Sequence, residues 1–263
     1  MNYHIPGLEG YFGGKGGSGV VQQIINIIPP HKTLIIPFLG HCALTRTIKK
    51  AKHQVLIEKD PKVFDLWTKY FDSIHGVRQV SLDGFYNCWL FKDTTIHLYN
   101  DCSVHGIGFG GFLVRQKFDP MVMYCDPLYL HETRKDPVGN SYTFEMTRED
   151  HIRFLERMIQ LEIPVLISAY ENDLYNTMLK GWNTISFNSQ TRSGTARETV
   201  YYNYDPPKQL HDYSFFGKNY KQREHYKLKG ERLISKFERM TAVERNFYIN
   251  FLAENKVISQ PEF

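Results

Sequence analysis

A short segment near the middle of the chain carries side chains that can hold a flat ring bearing an amino group. Residues 122–134 read VMYCDPLYLHETR, an apolar run that stops at Asp126 and Pro127 and continues to Tyr129. The Asp126 carboxylate and the Pro127 carbonyl, which the fixed φ of proline orients, can each accept a hydrogen bond from an amino group. Tyr129 can stack on the ring. Such a site would position an amine nitrogen for attack without a strong base.

The same residues also fit a simpler interpretation, because Asp-Pro is a frequent way for a strand to end in a turn. The surrounding sequence therefore has to decide. Apolar runs of strand length alternate with segments of helical period, which predicts a parallel sheet with helices on its faces. The predicted strands are TLIIPFLG, HQVLIEKD, TTIHLYND, MVMYCD and PVLISAY. A late strand, ETVYYNYD, is predicted to pair antiparallel in a hairpin after NSQTRSGTAR.

Four segments are predicted to be helices: VVQQIINIIPP, ALTRTIKKA, KVFDLWTKYF and TREDHIRFLERMIQ. In the last of these, Thr147 can cap the helix together with Asp150, three residues later. Its buried stripe is expected to consist of Ile152, Leu155 and Ile159.

Acidic or polar residues follow the predicted strands. The strand ends carry PFLGHC, IEKD, LYND, CDPLY and SAYEND. Ligands of open parallel sheets bind outside the carboxyl ends of the strands. The sequence therefore predicts a ligand crevice at this edge, with the Asp126 segment as one of its walls.

A glycine-rich segment, GYFGGKGGSG, precedes the first predicted helix. It lacks the spacing of a phosphate-binding loop, and FLGHCA lacks the later glycines of a dinucleotide fingerprint. Two interpretations stay open for the glycine-rich segment. It is either a flexible loop or a backbone that lies close against an anionic ligand group.

Length and composition exclude several classes of protein. The chain has 263 residues, of which 42% are hydrophobic, enough for one α/β domain with a small appendage. Its four cysteines lie far apart without a CxxC pair, which argues against structural zinc and a disulfide framework. The eleven histidines lack metal-binding spacing, so we expect surface and polar-site positions for them and no metal. No apolar run has the length of a membrane span, so a cytoplasmic protein is expected.

Taken together, the motifs resemble the DNA adenine-N6 methyltransferases of the Dam-like (D12) class, particularly the short versions of phages and mobile elements. The resemblance covers nearly the whole chain in family order. It is carried by YFGGK, PFLGHCA, IEKDP, CDPLYLHETR with FEMTREDH, ISAYENDLYNTMLKGW, SGTARETVYYNYD and the tail GKNYKQREHYKLKGERLISKFERM.

The resemblance implies a Rossmann-like, S-adenosylmethionine-dependent methyltransferase over residues 1–205. The sheet would be mostly parallel with the late antiparallel hairpin, followed by a basic helical segment over residues 206–263. The enzyme would move a methyl group to N6 of an adenine that it flips out of the DNA.

The resemblance also assigns roles to individual residues. Asp126, Pro127 and Tyr129 would hold the target adenine. Lys15 would lie near the cofactor carboxylate and Glu58 would bind its ribose hydroxyls. The full set implied for the cofactor is Tyr11, Gly13, Gly14, Lys15, Phe38, Gly40, Glu58, Asp101 and Asp126.

Three positions depart from the family pattern. Ile36 stands where the family usually has an acid before the PF pair, and Cys42 replaces the second glycine of the next motif. A side chain at Cys42 is therefore expected where the cofactor approaches closely. Leu128 turns DPPY into DPLY, which frees one φ but keeps the groups that would touch the base.

Positive charge is concentrated near the end of the chain. Residues 206–245 contain ten Lys or Arg against five acids, a net of +5, whereas the whole chain has +4. A solvated basic helix explains this, but interleaved aromatics favour phosphate contact and stacking. The DNA-contact candidates are Arg192, Arg197, Lys218, Lys221, Arg223, Lys227 and Lys229.

Two alternatives remain open from the sequence. The same chemistry on RNA is one, because only family likeness favours DNA. The other is a nucleic-acid-binding homologue that has lost catalysis and acts as a subunit or regulator. Restriction-modification, phage counter-defence and regulation are equally compatible biological settings.

Overall fold

The computed structural model describes residues 19–82, 85–102, 120–134, 144–191 and 194–257. The strands are β1 Thr33–Ile36, β2 His53–Glu58, β3 Val77–Leu82, β4 Tyr86–Phe91, β5 Thr94–Asn100, β6 Met121–Cys125, β7 Val165–Tyr170, β8 Asn183–Thr191 and β9 Gly194–Tyr202. The helices are α1 Val20–Ile25, α2 Ala43–Thr47, α3 Pro61–Ser73, α4 Arg148–Ile159, α5 Asp173–Met178, α6 Tyr220–Glu238 and α7 Ala242–Glu254.

The nine strands form one mixed sheet in the order β3-β4-β5-β2-β1-β6-β7-β9-β8. The five central strands, from β5 to β7, pair in parallel, whereas β3, β4, β8 and β9 pair antiparallel at the two edges. Counted along the chain, the parallel strands have the order 3-2-1-4-5 of a doubly wound Rossmann sheet. The predicted α/β fold, with its parallel centre and late antiparallel hairpin, is confirmed.

The central strands are buried on both faces, which explains their nearly continuous apolar sequence. Leu34 and Ile36 of β1 pack into one core with α1, α2 and α3, while Ile35 packs into a second core with α4 and α5. Helix α3 starts where Asp60 accepts the Lys62 amide at 2.9 Å. Because helices pack on both faces of the sheet, the ends of its strands are held at fixed positions.

The buried face of α4 differs from the prediction. The Thr147–Asp150 capping box is present, but Ile159 is 45% exposed and Ile152 only partly buried. The helix instead buries His151, Phe154, Leu155 and Met158. Of the predicted stripe, only Leu155 is fully buried, and the buried face is turned by about one residue toward the helix N-terminus.

His151 also corrects the expectation for histidines. It is fully buried, and its Nδ1 lies 2.9 Å from the Tyr175 hydroxyl. Burial lowers the pKa of His151 to about 4, so it is a neutral core residue. A hydroxyl partner makes that burial tolerable.

Several elements were not predicted from the sequence. Strands β3 and β4 form an antiparallel pair at one edge, and α5 follows β7. The hairpin of β8 and β9 is longer than expected, because it takes in NSQT and GTAR. Helix α1 ends at Ile25, four residues before Pro29.

The chain divides into two compact units after Phe215. The second unit contains α6, which begins after its N-cap Asn219, and α7, which begins with a capping box of Thr241 and Glu244. The predicted helical character of this basic segment is confirmed. Its separation at residue 206 as a DNA-contact segment stays a prediction. Within the described ranges, no helix is both long and apolar enough to span a membrane.

Candidate active site at the carboxyl edge of the sheet

Four neighbouring strands, in the order β5-β2-β1-β6, end at the same edge of the sheet. Phe38 and Gly40 follow β1, Glu58 ends β2, Asp101 follows β5, and Asp126 follows β6. The sheet order reverses direction between β1 and β6, which is where doubly wound sheets bind their ligands. The structure thus brings these sequence-predicted residues to one edge. We call Phe38, Gly40, Glu58 and Asp101 the β2 side.

Glu58 is the central group of the β2 side and is only 7% exposed. Its Oε2 accepts the Gly40 amide at 2.7 Å, and its Oε1 accepts the Asp60 amide at 2.8 Å. Burial raises the pKa of Glu58 to about 7, although amide hydrogen bonds from Asp60, Gly40 and Lys59 act in the opposite direction. Glu58 therefore titrates near neutral pH.

The loop after β1 is held against Glu58 by several main-chain contacts. Gly40 has a φ of +44°, in the left-handed region that favours glycine. Its carbonyl accepts the indole N–H of Trp67 at 2.7 Å, and the Leu39 amide donates to the Ile57 carbonyl at 3.0 Å. On the other flank, the Asp101 amide donates to the Glu58 carbonyl at 3.0 Å. The β2 side is thus positioned mainly by backbone.

The opposite wall is built from side chains, and we call Asp126, Tyr129, Tyr170 and Glu198 the β6 side. The Tyr129 hydroxyl donates to Glu198 Oε1 at 2.6 Å and lies 3.4 Å from Asp126 Oδ1. Its ring lies against that of Tyr170, with centroids 4.4 Å apart and planes inclined by 57°. Burial, followed by the charges of Asp126 and Glu198, raises the pKa of Tyr129. The phenol therefore stays protonated and acts as a donor.

Glu198 was not singled out by sequence reasoning. It lies on β9, opposite Tyr170 of β7, and is 3% exposed. The sequence does carry a signal, because an acid stands two residues before Val200 and therefore on the same, otherwise apolar face of the strand. What the sequence does not give is the pairing of β9 with β7, which brings Glu198 to Tyr129.

The rest of the Asp126 loop is also fixed. Pro127 is buried and Leu128 is half-buried. The Tyr129 carbonyl accepts Arg134 Nε at 2.8 Å, and the same guanidinium pairs with Glu145 at 2.9 Å. Arg134 therefore holds the main chain of Tyr129, whereas Glu198 and Tyr170 contact its side chain.

Two of the three departures from the pattern of the resembled family are buried in the core. Ile36 is fully buried in the core that contains α1 to α3. Cys42 is 8% exposed in the same core, and its Sγ accepts the Thr45 amide at 3.5 Å as the N-cap of α2. The Cys42 side chain thus serves as the N-cap of α2, and its expected position close to the cofactor stays a prediction.

Five of the predicted site residues lie outside the described ranges, namely Tyr11, Gly13, Gly14, Lys15 and Arg192. Arg197, on β9, is 68% exposed and pairs with Glu171 at 3.6 Å.

The DNA-contact candidates of the second unit lie on or next to α6. Lys218, Lys221, Lys227 and Lys229 are exposed, and Arg223 is half-buried. At about 3.6 residues per turn, Lys221 and Lys229 fall on one face. Arg232 and Lys236 share this basic face, whereas Arg223 and Lys227 fall on a different one.

No protein-family model and no curated protein matches the chain. Among solved structures, TrmK of M. capricolum in complex with its natural cofactor product S-adenosyl-homocysteine has a TM-score of 0.39 and 8% sequence identity. That alignment covers 89% of this chain and 94% of TrmK. At so low a TM-score the match supports no argument, and the fold assignment rests on strand order and pairing.

Proposed function

We propose that this protein transfers the methyl group of S-adenosylmethionine to N6 of a flipped-out adenine in DNA. One observation carries the proposal. Asp126 and Tyr129 follow β6 at the switch point of a Rossmann sheet, and a buried carboxylate, Glu58, ends a strand two positions away in the sheet. The resemblance of the ordered motifs is the basis for assigning the cofactor to the β2 side and the target base to the β6 side.

Glu58 fits the ribose of the cofactor. Its oxygens accept the amides of Gly40 and Asp60, and because a carboxylate has about four acceptor positions, acceptor capacity remains for a hydroxyl donor. Two vicinal hydroxyls would stabilise the ionised form of a carboxyl whose pKa lies at about 7. When bound, S-adenosylmethionine supplies an activated methyl group. Phe38, Gly40 and Asp101 would complete the β2 side of its site, and Lys15 would contact its carboxylate.

The β6 side fits the target base. Asp126 would accept a hydrogen bond from the N6 amino group, and the Pro127 carbonyl would accept a second one. Together they orient the nitrogen lone pair, and Asp126 can take up the proton that the nitrogen loses after transfer. Tyr129 would stack on the adenine ring, with its main chain held by Arg134 and its hydroxyl by Glu198 of β9.

DNA is proposed as substrate because of the motif resemblance, and the basic face of α6 supports a nucleic-acid partner. Lys221 and Lys229 lie on this face and can contact successive phosphates. Arg197, exposed on the β8–β9 hairpin, is a further candidate for phosphate contact.

A competition assay tests the substrate. The full chain is incubated with methyl-tritiated S-adenosylmethionine and duplex DNA from a bacterial strain that lacks adenine methylation, with structured RNA as competitor. We expect label in DNA, and an excess of RNA should reduce it only modestly. Label found in the RNA instead would overturn the choice of DNA. Absence of label from both, together with absence of cofactor binding at millimolar concentration, would favour a non-catalytic binding protein.

A further inference from the structure

Glu198 is a buried carboxylate that the proposed chemistry does not itself require. It lies on β9 between Tyr170 of β7 and Phe187 of β8, its cross-strand neighbours, and is 3% exposed. A carboxylate at such a position is costly unless it is hydrogen-bonded. The Tyr129 hydroxyl meets this need at 2.6 Å, a length typical of a charge-assisted hydrogen bond.

The distances decide which carboxylate accepts the hydrogen bond of the Tyr129 hydroxyl. A phenol has one proton to donate, and Glu198 Oε1 is 0.8 Å closer than Asp126 Oδ1, 2.6 Å against 3.4 Å. At 3.4 Å an O–H···O contact is weak. The phenol therefore does not compete strongly for the Asp126 oxygen that would accept the amino group of the base.

The same contact also fixes the ring. The main chain of Tyr129 is held by Arg134, but χ1 and χ2 of its side chain are set by what the ring and hydroxyl touch. These contacts include the Tyr170 ring on one flank and the Glu198 carboxylate at the tip. Because Tyr170 and Glu198 are paired across β7 and β9, both belong to one rigid piece of sheet.

We propose that Glu198 is a positioning residue of the transferase. It holds the Tyr129 ring in the orientation that stacks on the target base. By accepting the hydroxyl hydrogen bond, it also leaves the Asp126 carboxylate available to the amino group of the base. The inference rests on the proposed function, because the positioned groups are those assigned to the base.

The test compares Glu198→Gln and Glu198→Ala with the wild-type full chain. Glu198→Gln keeps the size and one acceptor oxygen but removes the charge, whereas Glu198→Ala removes the contact. Glu156→Gln, at an exposed site on α4, is the matched control. We expect kcat to fall about 10-fold in Glu198→Gln and about 100-fold in Glu198→Ala, with KM for DNA changed less than about twofold. The control should match the wild type.

A second readout does not depend on turnover. In protein labelled with ¹³Cζ-tyrosine, the Tyr129 signal can be assigned by its loss in Tyr129→Phe and titrated by NMR. Glu198→Gln should lower the pKa of Tyr129, since a neighbouring negative charge is removed. Glu156→Gln should leave it unchanged.

The outcomes separate the two proposals. An active wild type whose kcat and Tyr129 titration are both unchanged by Glu198→Gln would overturn the positioning role while leaving the proposed function intact. A wild type that transfers no methyl group to nucleic acid would overturn the proposed function first, and the positioning role with it. Should Glu198→Ala fail to fold, Glu198→Gln alone decides.

Discussion

On the β2 side, the contacts that define the site run from main-chain amides to one carboxylate, whereas on the β6 side they run between side chains. Glu58 accepts the amides of Gly40 and Asp60, and those amides are present whatever the neighbouring side chains are. Tyr129 depends on a partner of a particular type, Glu198, supplied by a strand about 70 residues later. The two walls should therefore respond differently to substitution.

Two departures from the pattern of the resembled family leave the hydrogen bond between Gly40 and Glu58 in place. Ile36 and Cys42 flank the loop that presents the Gly40 amide, but both side chains pack into the core behind it. The amide reaches Glu58 regardless. On the β6 side, by contrast, a change at Tyr129 or Glu198 would alter the contact itself.

On the β2 side, the largest expected effect comes from Glu58→Gln. A glutamine offers one acceptor oxygen and a donor NH₂, so one of the two amides would lose its acceptor and face another donor. We expect the affinity for S-adenosylmethionine to fall roughly 100-fold, consistent with the loss of hydrogen bonds to a charged group. Calorimetry measures this, with the exposed Glu162→Gln as control. Unchanged affinity would remove Glu58 from the cofactor site.

The pH dependence of cofactor binding gives the next largest effect. The pKa of Glu58 is about 7 and lies above its ordinary value, so the carboxyl is mostly protonated at pH 6 and mostly ionised at pH 8. Hydroxyl donors favour the ionised form, and affinity should therefore rise about 10-fold between pH 6 and pH 8. Glu58→Gln should flatten the profile. A wild-type profile that falls with pH would contradict the assignment.

The raised pKa of Glu58 predicts the opposite trend for stability: the free energy of unfolding should fall with pH, whereas cofactor affinity should rise. Without ligand, the contribution of Glu58 is fully present below its unfolded pKa and is lost as pH rises through about 7. The free energy of unfolding of the wild type, relative to Glu58→Gln, should therefore decrease from pH 5 to pH 8. Chemical denaturation of both proteins at each pH measures the difference. A difference that stays constant over that range would show that Glu58 is already ionised in the folded protein at pH 5.

Much of the β2 side could be predicted from the sequence, and much less of the β6 side. Gly40, Glu58 and Asp101 each follow a strand that the apolar pattern reveals, and parallel strands align their carboxyl ends. Glu198 requires knowing that β9 inserts between β7 and β8, which a linear pattern does not contain. The same limit applies to α4. The apolar pattern of the sequence does not reveal that His151 is buried next to the Tyr175 hydroxyl.

Leu128→Pro should have the smallest effect. It restores the rigid loop of the family while leaving the Asp126 carboxylate, the Pro127 carbonyl and the Tyr129 ring in place. We expect kcat equal to that of the wild type or up to about threefold higher, measured in the tritium-transfer assay with Leu128→Ala as control. A large loss would show that the half-buried Leu128 side chain has a role of its own.

The most direct test of the central claim is the nucleoside content of DNA treated with the wild type or with Asp126→Ala. Duplex DNA free of methylated adenine is incubated with each protein and S-adenosylmethionine, digested to nucleosides and analysed by mass spectrometry, while DNA binding is measured in parallel. Asp65→Ala, at an exposed site on α3, is the control. The account predicts N6-methyladenine with the wild type and the control, and at least about 1,000-fold less with Asp126→Ala at nearly unchanged DNA affinity. N6-methyladenine formed equally well by Asp126→Ala would contradict it.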